Sequence, residues 1–498
     1  MASTSKTTFI LFILRVIRIF ISILTLTLSA KFFGVTVERD VWILVTTFLA
    51  SLGAAIWGPI NETFRAKFVF IKEKNGEEAA LSKTGSLVGF VIVVTIVVSV
   101  FTALLTTHVA QNILTSPTEK ETSLFCCLFL IMLPTFFINQ MTTLGISLLN
   151  SFEVYYLPEI VGAITGLASL GIIAFLAPSI GIYSLAVSQY ISYICLFITC
   201  FYFVNKTCPQ IKTHILPIKW SLIRDFIIYS LPFFFPYFIG QCNTLGEKWL
   251  AGKLGSGIIS SLDYSRQFTI VLQNVLSSVL TTIMVPTLAK YFSKNDFRTY
   301  QSSLNDFIKT CFLILILTIP MLIGGAAPLC KFFFLRGNMS LNELSVIITL
   351  TQLFGMAFIG VILYLIFGMS LLSAAKGKVY AFLGITTQII VLMLNLCLYR
   401  SLTYYIFPVS LFLGHLSAAV IMCRFMPISM NETIKKIGCY LCILTATTAL
   451  ICFFNYSIKL HSTFLQLLFN GILLLLILPL VLKLMKFNIK PIFKGTKK

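Results

Sequence analysis

Apolar stretches of about 20 residues, the length that crosses a bilayer as a helix, recur along this whole chain. Polar breaks at Asp40, Pro178 and 205–224 divide them. The pattern predicts about fourteen spans, at 8–34, 41–60, 85–107, 124–149, 158–178, 180–204, 226–245, 259–288, 307–330, 345–372, 380–399, 403–423, 437–455 and 463–482. The chain is 58% hydrophobic and only 11% charged, whereas a soluble domain carries about 25% charged residues. No soluble packing accommodates that composition. The expected class is an all-α polytopic membrane protein, because hydrocarbon leaves backbone groups no partner outside their own segment.

The formal net charge of +20 does not point to nucleic acid. The basic residues are scattered through short connections, and nothing resembles a recognition module. They read better as topology signals. Taking connections alternately, one side collects Lys6 and the clusters at 65–83, 206–224, 290–309, 376–378, 424–436 and 483–498. The other side holds only Lys31, Arg39, Lys120, Lys248, Lys253, Lys331, Arg336, Arg400 and Lys459. Positive charge stays in the cytoplasm, so both termini are expected there. The N-terminal run is not expected to be a cleaved signal, since Arg15 and Arg18 interrupt it and no small-x-small site follows.

Three arginines, Arg15, Arg18 and Arg266, fall inside spans. A central arginine costs roughly 2.5–3.5 kcal/mol on insertion scales, so it normally faces a bundle interior or a watery cavity. Arg15 and Arg18 share a helical face, being three apart. A basic cavity suits an anionic cargo. The competing readings are interfacial snorkelling for Arg15 and Arg18, and a local pair between Arg266 and Asp263.

Little else suggests chemistry. The thirteen cysteines mostly lie in apolar runs, and the lone CxxC, Cys439-Tyr440-Leu441-Cys442, has no second pair or nearby histidine. His108, His214, His415 and His461 are widely separated. No phosphate-binding Gly-x-x-x-x-Gly-Lys-Ser/Thr occurs, and no carboxylate pair has a credible catalytic spacing. A metal site, a cofactor and an enzyme are therefore not expected; transport is. The charged 62–83 stretch reads as a solvated cytoplasmic loop.

The spans divide as six, six and two. This suggests an N-lobe at 1–204, a cytoplasmic connection at 205–225, a C-lobe at 226–423, and a last pair with a basic tail at 424–498. Transporters often place their site between two such repeats.

Certain residues resemble a known family. Lys31-Phe32-Phe33-Gly34 with Arg39-Asp40, then Asp263-Tyr264-Ser265-Arg266, Val285-Pro286-Thr287-Leu288, Asn305-Asp306 and Phe334-Leu335-Arg336-Gly337 are similar to segments of the MviN/MurJ-type lipid II flippases. These belong to the multidrug/oligosaccharidyl-lipid/polysaccharide exporter superfamily. The resemblance implies two six-helix lobes around a central cavity plus two C-terminal helices. It also implies alternating access and a polyprenyl-diphosphate-linked glycan as cargo. Arg266 matches the family's cavity arginine on the eighth helix, Arg18 is nearest to its first-helix arginine, and Asp40 matches the aspartate closing the first hairpin. Two departures shift the expected cargo from lipid II towards another lipid-linked glycan, such as an O-antigen or capsule unit. The family's arginine pair falls at Leu52-Gly53-Ala54-Ala55, and its glutamate segment reads Asn61-Glu62-Thr63-Phe64.

Arginine suits a diphosphate because its planar fork makes bidentate, charge-assisted bonds. Gln241, Asn243, Gln267, Gln273 and Asn274 could bond sugar hydroxyls or one another's helices. The expected substrate set is Arg15, Arg18, Asp40, Arg266, Gln267 and Asn274. Expected partners are membrane lipids and the lipid-linked anionic glycan, with no nucleic acid, in a monomer coupled to a cation of unknown identity if to any. Two other classes compete. A cation-coupled multidrug exporter of the same superfamily would want acidic cavity residues, and a membrane-embedded glycosyltransferase or polymerase would want long outer loops with carboxylates.

Overall fold

The structure, a computed structural model, describes the backbone of residues 2–487 except 116 and 217; the side chains of residues 1–13, 15 and 16 lie outside it. Arg15 and the basic tail beyond Phe487 therefore lie outside the described side chains. Helices account for nearly everything else, and no strand occurs among the described residues. In order they are α1 (Ala2–Phe33), α2 (Val37–Asn75), α3 (Glu77–Leu104), α4 (Thr106–Ile113), α5 (Glu119–Ser151), α6 (Leu157–Ile180), α7 (Tyr183–Thr207), α8 (Trp220–Leu254) and α9 (Ile258–Val279). There follow α10 (Val285–Ser293), α11 (Phe297–Ile323), α12 (Ala326–Phe334), α13 (Leu341–Ser373), α14 (Gly377–Leu402), α15 (Ile406–Arg424), α16 (Asn431–Ser457) and α17 (Thr463–Leu484).

Among the described residues, 12 stretches are long and apolar enough to cross a membrane. One of them, Gly377–Arg424, contains both α14 and α15. Another, Ile258–Ser293, is α9 and α10 joined by a π-helical turn at Leu280–Met284. Separating α14 from α15 and adding the 32-residue α1 agrees with about fourteen spans.

The helices are longer than hydropathy suggests. α2 has 39 residues, or about 58 Å at 1.5 Å per residue, against a hydrocarbon core of about 30 Å. The 62–83 stretch is accordingly not a loop. α2 and α3 run through it and only Gly76, at φ 89°, separates them. Phe64, Phe68 and Ile71 recur at helical spacing on a buried stripe, and Lys72 pairs with Glu77 across the break at 2.7 Å. Similarly, Lys248 and Lys253 lie within α8 rather than in an outer loop.

Contacts divide the chain into two compact units, residues 1–260 with 337–339, and residues 261–336 with 340–498. In the first, α2 packs against α5 and α8, and α6 against α7 and α1. Phe226 of α8 stacks on Phe64 of α2 at 5.3 Å between ring centroids. Gly58 of α2 lets Tyr237 of α8 lie so close that a Cβ there would come 2.3 Å from the ring. This close fit accords with α8 lying in the first compact unit, whose main segment ends at Ser260.

In the second unit α13 is the central helix, packed against α11 and α15. Phe312, Leu315, Phe358, Ile362 and Ile366 are among its buried residues. The Tyr300 hydroxyl donates to the Ser370 carbonyl at 2.9 Å, satisfying a polar group that burial would otherwise penalise. Asn455 of α16 accepts from Gln466 and Asn470 of α17 at 2.9 and 3.2 Å.

Candidate functional site

The first turn of α2 carries two charges that are almost wholly buried, Arg39 and Asp40, at 6% and 7% exposure. Asp40 accepts from the backbone N–H groups of Gly257 and Ser260 at 2.6 and 2.8 Å, and from the Ser260 hydroxyl at 2.5 Å. Those N–H groups belong to the start of α9, where helical donors have no partner of their own and negative charge is favoured. Gly257 makes the approach possible, since at φ +83° a Cβ would meet Val35 at 2.4 Å. The Asp40 carboxylate is thus bonded to residues 257 and 260 at the start of α9. Arg39 donates to Ser29 of α1.

Arg18 is held by a carboxylate the sequence reading did not weigh. Its Nη1 lies 2.7 Å from Glu159 of α6, with the arginine side chain 44% exposed and the glutamate 13%. Gly162, one turn along α6, leaves room for the guanidinium; a Cβ there would stand 2.9 Å from Nε.

Arg266, Gln267 and Asn274 all project from α9 within the second unit. The guanidinium carbon of Arg266 lies 4.6 Å from the ring centroid of Phe354 on α13, a cation–π arrangement. Gln267 is half-buried and Asn274 exposed. The structure therefore places Arg18 and Asp40 in one unit and the α9 trio in the other.

A cavity of the first unit has a volume of about 820 Å³ and is walled by α2, α5, α7 and α8. That lies in the roughly 300–1,000 Å³ range of small-molecule sites. On α2 its lining residues Thr47, Ser51, Ala54, Gly58 and Glu62 recur every three or four positions, one helical face. The small residues on that face create the space. The walls are rich in hydroxyls and amides, and among the described residues they include no lysine, arginine or histidine. Among the described residues Glu62 is their only carboxylate.

Several of these groups are already oriented. Asn61 of α2 and Gln140 of α5 exchange two amide hydrogen bonds, both 3.1 Å. Gln189 donates to Tyr193 at 3.1 Å on α7, and Tyr237 of α8 donates to Glu62 at 3.2 Å. The walls of this first-unit cavity are neutral to acidic. Sequence reasoning named Glu62 only as a departure from the family's glutamate segment and placed it in a loop; helical periodicity through Phe64, Phe68 and Ile71 was the signal for its place on α2. Such a surface offers donors and acceptors to a polyhydroxylated, amide-bearing group.

Among the described residues no three His, Cys, Asp or Glu come together as a metal site. All thirteen cysteines are free. Cys208, just after α7, is buried, which pushes its thiol up to about 11 and keeps it neutral.

Spanning helices in two compact units, with a polar cavity walled by four of them, define a membrane transporter. Its fold is similar to that of a solved lipid II flippase MurJ in the inward closed conformation, with TM-score 0.75 and 17% identity over 94% of this chain and 96% of that one. It is also similar to an inward-facing multidrug resistance MATE family transporter of the MOP superfamily, with TM-score 0.65 and 9% identity over 87% and 96%. The family described as lipid II flippase MurJ matches residues 29–479, and the chain belongs to that family. A curated relative, the lipid II flippase MurJ of Burkholderia cenocepacia, is 22% identical over 238 residues, 47% of this chain. The match spans about half of that relative, 46% of its length.

Proposed function

We propose that this protein flips a polyprenyl-diphosphate-linked glycan across the bacterial cytoplasmic membrane by alternating access, without chemical change to the cargo. The observation that carries this reading is the family match across residues 29–479. A diphosphate bearing sugars cannot cross about 30 Å of hydrocarbon unaided, whereas its polyprenyl tail can remain in lipid. The hydroxyl- and amide-lined cavity supports a role for the first unit in holding the neutral, hydrogen-bonding part of the headgroup. Arg266, Arg18 and Arg15 are the proposed partners of the diphosphate. Gln267 and Asn274 are proposed to contribute amides. The asymmetry of basic connections supports cytoplasmic termini. We take the working unit to be a monomer.

Depletion followed by analysis of lipid-linked intermediates tests this. Accumulated lipid II would assign the protein to peptidoglycan, and another undecaprenyl-diphosphate glycan would assign it to a polysaccharide route. No accumulation of any such lipid would overturn the proposal. The likeness to MATE transporters, with a carboxylate in the cavity, favours one second reading, export of cations. Efflux of a cationic dye that disappears in Glu62→Gln would support it.

A further inference from the structure

A second crevice in the first unit, about 190 Å³, has opposite chemistry. Its walls are mostly apolar, formed by α3, α5, α7 and the 3-10 turn Pro209–His214 that follows them. Glycines shape it. A Cβ on Gly89 would lie 2.3 Å from the Ile215 carbonyl oxygen, and one on Gly85 would lie 2.6 Å from His214, so α3 accepts the connection only because both lack side chains. On α5, Gly145 leaves the space facing Cys200 of α7, where a Cβ would come 2.5 Å from Sγ.

Two polar atoms are stranded in this apolar setting. Thr84 Oγ1 and Asn205 Oδ1 line the crevice, and both are buried without a hydrogen-bond partner. Thr84 is 1% exposed. A helical threonine ordinarily bonds the carbonyl one turn back, as Thr102 and Thr106 do at 2.8 and 3.1 Å. At the edge stands Lys212, exposed, with Nζ 5.3 Å from the centroid of Phe201 and no carboxylate partner among the described residues. Phe201 is itself 53% exposed, so the crevice opens on the apolar outer face of α7.

We propose that this crevice is a binding site for an anionic phospholipid, one acyl chain in the bore and the phosphate on Lys212. The apolar walls suit hydrocarbon, and the volume takes part of one acyl chain, the rest lying along the exposed face beside Phe201. A lysine beside the membrane attracts anionic headgroups. The glycerol ester carbonyls, which only accept, give the stranded Thr84 hydroxyl an acceptor at that depth. Occupancy ties Ile211, Lys212 and Ile215 to α3 and α5, and it is independent of the identity of the transported cargo.

The test uses the full chain in phosphatidylcholine nanodiscs containing a trace of phosphatidylglycerol with a photoactivatable acyl chain. Adducts should concentrate on crevice residues of α5 and α7, such as Met141 and Cys200. Lys212→Ala should lower them about fivefold, the effect of one lysine at an anionic surface, and Lys212→Arg should preserve them. A phosphatidylcholine probe should label these residues weakly, and excess glycerol phosphate in solution should not compete. Adducts spread evenly over the lipid-facing surface, equal labelling by phosphatidylcholine, competition by free glycerol phosphate, or no effect of Lys212→Ala would each overturn the proposal.

Discussion

Single residues separate two kinds of charge here. Asp40 has its carboxylate bonded by three donors at the start of α9, so its loss is expected to act on stability. Asp40→Ala leaves buried N–H groups unpaired, at about 1–3 kcal/mol. The expected outcome is a lower melting temperature of the purified protein and reduced membrane levels, with Asp40→Asn milder. An unchanged melting temperature would return Asp40 to the candidate substrate ligands. Arg266, by contrast, sits over Phe354 and projects from a helix rich in amides. Arg266→Ala should abolish complementation at near-normal membrane levels. Arg266→Lys should recover it only partly, because a point charge replaces a planar fork. Normal complementation by Arg266→Ala would make the residue structural. The motif around Arg266 was legible in the sequence. The pairing of Arg18 with Glu159 was not, because the two lie 141 residues apart and meet only once α1 packs on α6.

At the scale of elements, the fit between α2 and α8 accords with both lying in the first unit. Gly58 is the point of closest approach, with the Tyr237 ring 2.3 Å from where a Cβ would stand. Gly58→Ala should therefore push the helices apart, costing about 1–3 kcal/mol by overpacking. Thermal unfolding in detergent would read this as a loss. A melting temperature equal to that of the unaltered protein would show that α8 is loosely held. Gly76 has nothing within 4 Å of its Cβ position, so Gly76→Ala meets only backbone strain at φ 89° and should cost less. Hydropathy located the apolar centre of α2 but not its end, because the window measures affinity for lipid. Helix formation requires only the stripe of Phe64, Phe68 and Ile71 to bury against α8 and α3.

For the whole molecule, the prediction is topological. Reporter fusions after Lys120 and Arg336 should read periplasmic, and those after Lys74 and Lys294 cytoplasmic. A periplasmic reading at Lys294 would break the alternation on which the orientation rests. The class, the approximate number of spans and the family were determined by the sequence alone, because a bilayer imposes one length and one polarity on each crossing helix. The polarity of the first unit's cavity was decided only in three dimensions. No run of sequence shows that Asn61, Glu62, Gln140, Gln189 and Tyr237 face one space. They come from four helices, and which face of each turns inward depends on how glycines and aromatic rings let those helices approach. Side-chain packing acts over a few ångströms between segments far apart in the chain, so it leaves almost no local signature.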